Sequence, residues 1–345
     1  MLQNNLEGPA LIYAVGFSAW KKARVRQCFP SAQVRFANRF EDVPARAVVA
    51  VWGMQRVPES QGFQVLRLED GFLRSVGLGA DLTRPTSWVV DDVGLYYDAT
   101  RPSKLERLLA ETVFDSAQLQ RATALQQRIV SAGLTKYNIG TPQWPRPKTA
   151  KRVLLVPGQV ESDASLAYGA PEIRTNMGLL QAVRSTNPDA YIVYKPHPDV
   201  VAGLRAEGKN EHDALHWCDE ILLDAAMAEV LASVDEVHVL TSLTGFEALL
   251  RNQPVYCYGL PFYAGWGLTN DAIAHPRRTR RLTLAELVAG TLIAYPLYLS
   301  RVDNALITPE QALEQLLAWR SLSDATPPWW QAAFRMVLRR VVGVR

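Results

Sequence analysis

The sequence is short of several things that a chain of this size often carries. Of its 345 residues only three are cysteine, Cys28, Cys218 and Cys257, odd in number, far apart and without a CxxC pair. That excludes a disulfide framework and a cysteine zinc site, and it points to a reducing compartment. No apolar run approaches the roughly 20 residues of a membrane-spanning helix. The opening MLQNNLEGPALIYAVGF has no basic stretch before its short apolar run, so it reads as a first strand and not as a signal peptide. Neither sign of charge dominates, with 37 Lys and Arg against 34 Asp and Glu. Basic and aromatic residues do not interleave as they do in nucleic-acid binders; RRTRR at Arg277–Arg281 is a local cluster. Also missing are GxxxxGK[ST], GxGxxG after the first strand, HExxH and GxSxG, which leaves P-loop hydrolysis, ordinary dinucleotide redox chemistry, zinc proteolysis and the common esterase elbow without their markers.

What is present is apolar material: 48% of the residues are hydrophobic and 21% charged, enough to bury the core of one large domain or, as expected here, two. Short apolar runs (ALIYAVGF, AVVAVWG, VLRLEDG) alternate with helix-length stretches, the pattern of βαβ units. Residues Pro102–Leu134 read as one helix opened by Ser103, with Glu106 completing a capping box. Gly140–Lys151 contains three prolines and reads as a linker. The expected division is an N-terminal Rossmann-like domain over 1–140, a linker over 141–151 and a C-terminal one over 152–320, facing each other across a cleft as an α/β GT-B fold. In the second half KRVLLVPGQ, AYIVYKPHP, EVHVLTS and PVYCYG read as strands, with helices at Asn176–Thr186, Asp224–Ser233 and Gly245–Arg251.

Four strand ends carry candidate chemistry. Glu69-Asp70-Gly71 follows VLRL, where open α/β sheets place ligands; a plain polar turn would use the same residues. Gln159, Glu161 and Asp163 follow the first strand of the second half, where carboxylates serve as nucleophile or acid/base and where Ser162 or Asp163 would equally serve as a helix cap. Lys195-Pro196-His197-Pro198 sets one imidazole in a rigid frame beside an ammonium, suited to an anion. Thr241-Ser242-Leu243-Thr244-Gly245-Phe246-Glu247 runs from strand to helix, and its hydroxyls and open N–H groups suit phosphate, or simply cap the helix.

The strings LEDGFLRSVGLGADLTRP, DDVGLYYDATRPSKLE, GQVESDASLAYG, NPDAYIVYKPHPDVVAGLR, TSLTGFEALLR and PFYAGWGLT resemble the KpsC-type capsule polysaccharide β-Kdo transferases, from about Gly16 to Tyr298. The resemblance implies CMP-β-Kdo as donor, a Kdo-terminated (lyso)phosphatidylglycerol-type glycolipid as acceptor, the inner face of the inner membrane as the location, and other capsule-assembly transferases as partners. It implies no cofactor, no metal and no nucleic acid. It places Lys195, His197, Pro198, Ser242, Thr244 and Gly245 with Gln159 around the CMP phosphate, Glu247 near the nucleoside, Glu69 or Asp70 as acid/base, and Arg74, Ser75, Tyr263 and Trp266 on the acceptor side or in the cleft. A β-linked donor giving a β-linked product requires two inversions and hence a nucleophile. Asp163 is the expected one, with Glu161 as its rival, because relatives are expected to carry a second acid where Ser162 stands. Two other readings are a transferase for a different activated sugar and a non-catalytic glycolipid-binding subunit.

The net charge of +3 is unevenly distributed. Residues 326–345 hold Arg335, Arg339, Arg340 and Arg345 with no acid, so the rest of the chain is left at −1. Trp329, Trp330, Phe334, Val337, Leu338 and Val341 can share one face of a helix there. Such a segment suits an anionic membrane surface, or packs back on the N-terminal domain.

Overall fold

The computed structural model describes residues 10–76, 85–136, 138, 144–303 and 305–323. The chain divides into two α/β units. The first takes residues up to Arg74, Pro85–Thr123 and Ala285–Gln315; the second takes Ala124–Leu284, the stretch that begins at Ser75, and the residues from Leu316. The basic C-terminal segment 326–345 lies outside the described residues.

The first unit opens with β1 (Leu11–Val15), β2 (Gln33–Ala37), β3 (Val48–Trp52), β4 (Gln64–Asp70) and β5 (Ser87–Asp91), and helix α1 (Ala19–Cys28) carries the chain from β1 to β2. β1 pairs parallel with β2 and β3, β3 pairs parallel with β4, and β5 runs antiparallel to β4. Ile12, Ala14, Val49, Val51, Leu68 and Trp88 are at most 1% exposed, and burying each large side chain contributes about 1.5–3 kcal/mol. Strand order reverses around β1, which makes the carboxyl ends of β1 and β3 the natural ligand position. Both strands end in glycines at positive φ, Gly16 at 75° and Gly53 at 56°, so the backbone turns away from the sheet where an L side chain would be strained.

Helices α2 (Lys104–Glu111) and α3 (Ser116–Ser131) replace the single helix expected over Pro102–Leu134. The first starts as expected: Ser103 Oγ accepts the Glu106 N–H at 3.1 Å. The break comes from a second box, in which Asp115 Oδ1 accepts the Gln118 N–H and Gln118 Oε1 accepts the Asp115 N–H, both at 2.8 Å. Ser103→Ala is expected to cost about 1 kcal/mol, read as a lowered urea midpoint with an unchanged slope.

The second unit is a fully parallel sheet of β6 (Val153–Pro157), β7 (Tyr191–Lys195), β8 (Glu220–Ile221), β9 (Glu236–Val239), β10 (Val255–Cys257) and β11 (Asn270–Asp271), in the order β8-β7-β6-β9-β10-β11. Every residue of β6 is buried. A strand covered on both faces reads as an unbroken apolar run, which is why VLLVP shows no alternation. Between the strands run α4 (Ala164–Gly169), α5 (Asn176–Thr186), α6 (Pro198–Val201), α7 (Met227–Ser233) and α8 (Leu243–Leu250). After α9 (Leu284–Val288), the strands β12 (Leu297–Leu299) and β13 (Leu306–Ile307) extend the first sheet, with β12 antiparallel to β5, and α10 (Pro309–Ser323) follows. The two parallel-rich α/β units are the components of the GT-B class.

The domain boundaries differ from the expected ones. The division falls within α3, and the stretch around β12 returns to the first unit. The proline-rich segment is held to the second unit: Trp144 is buried and its indole donates to Glu220 at 3.0 Å, while Arg146 grips both oxygens of Asp235 at 3.0 and 2.7 Å. These anchors, and not its proline content, decide where it belongs.

Candidate active site

In the second sheet the strand order reverses between β6 and β9, and the loops leaving these two strands hold the candidates. Gln159 joins the loops. Its Nε2 donates to Thr241 Oγ1 at 3.0 Å, and the Thr241 N–H donates to its Oε1 at 2.9 Å. Asn176, buried at the start of α5, grips the Gln159 backbone from both sides at 2.9 Å. The Gln159 amide is therefore a girder between the loops. Gly158 makes the next contact possible: its N–H donates to the Lys195 carbonyl at 2.7 Å, and a Cβ there would stand 2.7 Å from the Tyr194 hydroxyl and 3.1 Å from Pro196 Cα. The turn carrying Lys195 and His197 thus packs directly on the β6 loop.

His197 caps α6, its Nδ1 accepting the Asp199 N–H at 3.2 Å, and Pro198 fills the first helical position, where no donor is needed. Burial, reinforced by Lys136 and Arg205, pushes the His197 pKa down to about 3. The ring is therefore neutral at physiological pH. With Nδ1 accepting, its proton sits on Nε2, which makes it a neutral donor. Lys195 is also buried, and burial draws its pKa below the usual value against the pull of Asp224.

The two carboxylates of the β6 loop separate cleanly. Glu161 accepts the Asn176 N–H at 2.8 Å on one oxygen and the Lys209 N–H at 3.0 Å on the other. Asp163 stands at the N-cap of α4, yet its side chain does not cap the helix and takes no hydrogen bond from the described residues. Burial raises its pKa, while Lys136 and Arg205 favour its charged form. Glu161 is committed to holding backbone, and Asp163 is the uncommitted carboxylate.

Ser242 caps α8: its Oγ accepts the Thr244 N–H at 3.3 Å and donates to Thr244 Oγ1 at 3.2 Å. One turn on, Glu247 is buried and accepts the Lys136 N–H at 2.6 Å; burial lifts its pKa to about 7 against Arg251 and that N–H. The turn of Lys136 is further fixed by Asn138, at φ 52°, whose Oδ1 accepts the Thr135 N–H at 2.8 Å and whose Nδ2 donates to the Ser75 carbonyl at 2.9 Å.

The first unit carries a separate cluster at the end of β4. Glu69 accepts the Tyr97 hydroxyl at 3.1 Å and the Asp70 N–H at 2.9 Å, and Gly53, lacking a Cβ, leaves room for its Oε2. Burial and the Asp70 carboxylate push the Glu69 pKa up to about 7, opposed by the Asp70 N–H, Tyr97 and Lys21. Arg74 donates to Asp70 at 2.7 Å. A carboxyl group titrating near neutrality beside a second carboxylate held by an arginine suits general acid/base work.

Three of the residues expected on the acceptor side or in the cleft are buried. Tyr263 and Trp266 are fully buried: the Tyr263 hydroxyl donates to the Ser242 carbonyl and so braces the α8 turn, and the Trp266 indole donates to the Phe262 carbonyl at 2.9 Å. Ser75, also fully buried, donates its N–H to the Lys136 carbonyl at 3.3 Å. Lys21, Trp52, Tyr97, Lys136, Asn176 and Arg205 were not anticipated: Trp52 ends β3 without a polar motif beside it, and the others lie outside the strand-end motifs. No helix among the described residues is long and apolar enough to cross a membrane.

A family model for capsule polysaccharide biosynthesis proteins matches residues 51–144 and 143–298. The capsule polysaccharide modification protein LipA of Neisseria meningitidis serogroup A is 45% identical over 324 residues, covering 90% of this chain and 46% of LipA, so the chain spans about half the length of that relative. Among solved structures, the KpsC β-Kdo 2,7 transferase of Thermosulfurimonas dismutans is 42% identical with a TM-score of 0.73, covering 89% of this chain and 98% of that one. The KpsC β-Kdo 2,4 transferase of the same organism is 31% identical with a TM-score of 0.78, covering 90% and 99%. With matches of this extent and identity, the chain belongs to the capsule polysaccharide biosynthesis protein family.

Proposed function

We propose that the chain is a retaining transferase that moves β-Kdo from CMP-β-Kdo to a Kdo-terminated glycolipid in capsule-linker assembly, working in the cytoplasm at the inner face of the inner membrane. The observation that carries this reading is the uncommitted carboxylate of Asp163 in the same electrostatic field as a neutral His197 donor, at the switch point of a parallel sheet. In the first displacement the Asp163 carboxylate attacks the anomeric carbon, and the bond to the phosphate oxygen breaks with its electron pair leaving on CMP. The His197 Nε2–H, Ser242, Thr244 and Lys195 stabilise that charge, and Lys136 and Arg205 add to the positive field. In the second, the acceptor hydroxyl attacks the same carbon, Glu69 or Asp70 takes its proton, and Asp163 departs as carboxylate. On this reading phosphate is a sufficient leaving group and no metal is required.

The identity is higher to the β-Kdo 2,7 transferase, whereas the TM-score is higher to the 2,4 transferase. Side chains, not backbone superposition, select which hydroxyl attacks, so identity carries more weight and supports the 2,7 linkage. NMR of the product made from CMP-Kdo and a synthetic Kdo-terminated acceptor tests the whole reading, and a β-(2→7)-linked Kdo is expected. An α-linked product would overturn the double displacement, and a thermal shift with UDP or GDP exceeding that with CMP would overturn the donor.

A further inference from the structure

One charged group of the first unit has no part in these roles. Lys21 lies in the first turn of α1, and its ammonium stands 3.1 Å from the centroid of the Trp52 ring. Trp52 is the last residue of β3, wedged edge-on between Phe17 and Trp88 with centroids 6.4 and 4.9 Å away. It pairs in register with Leu68, the residue before Glu69. Its other neighbour is Gly53, whose absent Cβ would have stood 3.3 Å from Glu69 Oε2. The platform that holds the ammonium and the space that holds the carboxylate are therefore successive residues of one strand end.

We propose that Lys21 is a positioning residue whose ammonium, seated on Trp52, favours the ionised form of Glu69 that accepts the proton of the acceptor hydroxyl. The inference rests on the reading of Glu69 as acid/base. An indole face attracts a cation without hydrating it, so an ammonium set there depends on nearby carboxylates for the rest of its stabilisation, and it stabilises their charge in return. The groups facing this corner come from several elements. From β4, Asp70 opposes ionisation of Glu69 through its carboxylate and favours it through its N–H; Tyr97 favours it, and Lys21 does so from α1. Arg74 is joined to Asp70 and repels Lys21, and the phenol of Tyr295 feels the Glu69 charge. Burial draws Lys21 down to about 8 while Asp70 and Glu69 hold it up, so at neutral pH it remains mostly protonated.

Lys21→Met, Lys21→Gln and Lys21→Arg in the full chain test this by two readouts: the pH profile of kcat/KM, and a side-chain carboxyl 13C NMR titration assigned with Glu69→Gln. A base is active when deprotonated, so losing the cation raises the Glu69 pKa and moves the acid limb to higher pH. The limb and the NMR titration are expected to move together to higher pH for Lys21→Met, with Lys21→Arg restoring both. A Lys21→Met or, should that variant not fold, a Lys21→Gln protein whose Glu69 titration coincides with wild type overturns the inference. Glu69→Gln separates the two failures. Full turnover by that variant sinks the acid/base reading itself, whereas loss of turnover together with an unmoved limb in the Lys21 variants sinks only the role of Lys21.

Discussion

Asp163→Ala is expected to abolish acceptor-dependent release of CMP from CMP-Kdo, lowering its rate at least about a thousandfold, as removal of a covalent nucleophile does. The folded protein should survive, because the Asp163 side chain caps no helix and takes no hydrogen bond from the described residues. Removing a partly desolvated carboxylate costs little and can even stabilise. Glu161→Ala supplies the contrast. It strips two charge-assisted bonds from the backbone N–H groups of Asn176 and Lys209, worth together about 2–4 kcal/mol, so its main effect should appear in the urea midpoint. Wild-type turnover by Asp163→Ala, or a Glu161→Ala protein of undiminished stability and no turnover, would exchange the two roles.

Gly245→Ala is the second large effect. A Cβ at this position would stand 2.8 Å from Cζ and 3.0 Å from Cε2 of Tyr263, a ring that is fully buried and cannot retreat. Overpacking of this kind costs about 1–3 kcal/mol. Because Tyr263 also donates to the Ser242 carbonyl, displacing it disturbs the turn that presents Ser242 and Thr244, and CMP should lose most of its thermal shift. Tyr263→Phe alone removes one of two donors to that carbonyl, which keeps the Gly245 N–H at 3.1 Å, at a cost of about 1 kcal/mol. In the double variant the missing hydroxyl, the atom nearest the new methyl, gives it some room, so the combined cost should fall short of the sum of the two. Additive costs would mean that Gly245 and Tyr263 act independently.

The parts of the fold legible in the chain are those whose signal is local. VLLVP, YIVYK and EVHV announce buried parallel strands because side chains are mostly apolar when both faces are covered, with Lys195, Glu236 and His238 as the charged or polar exceptions. Helix α5 falls on Asn176–Thr186 as expected, with Thr175 accepting the Gly178 N–H as its cap. The break at Asp115 was equally local but was hidden inside an apolar periodicity that runs on through both helices. The return of β12 to pair with β5 had no such signal. The partners Leu297 and Trp88 are joined by no motif, and only the sheet's need to bury its open edge brings them together.

By itself, the sequence determined which residue types stand at the carboxyl ends of which strands, because strand periodicity and the glycines and prolines that end strands are properties of neighbouring residues. That was enough to bring forward Glu69 and Asp70, Glu161 and Asp163, His197 and Ser242, without choosing within the carboxylate pairs. Tertiary structure alone decided what those groups can do. It occupied Glu161 with backbone N–H groups and left Asp163 uncommitted. It buried Tyr263 and Trp266, which were expected on the acceptor side or in the cleft. It made His197 neutral and brought Glu69 near neutrality beside Lys21. A proton affinity depends on how much water a group loses and on which charges surround it, and both are set by residues that are distant in the chain and adjacent only in the fold.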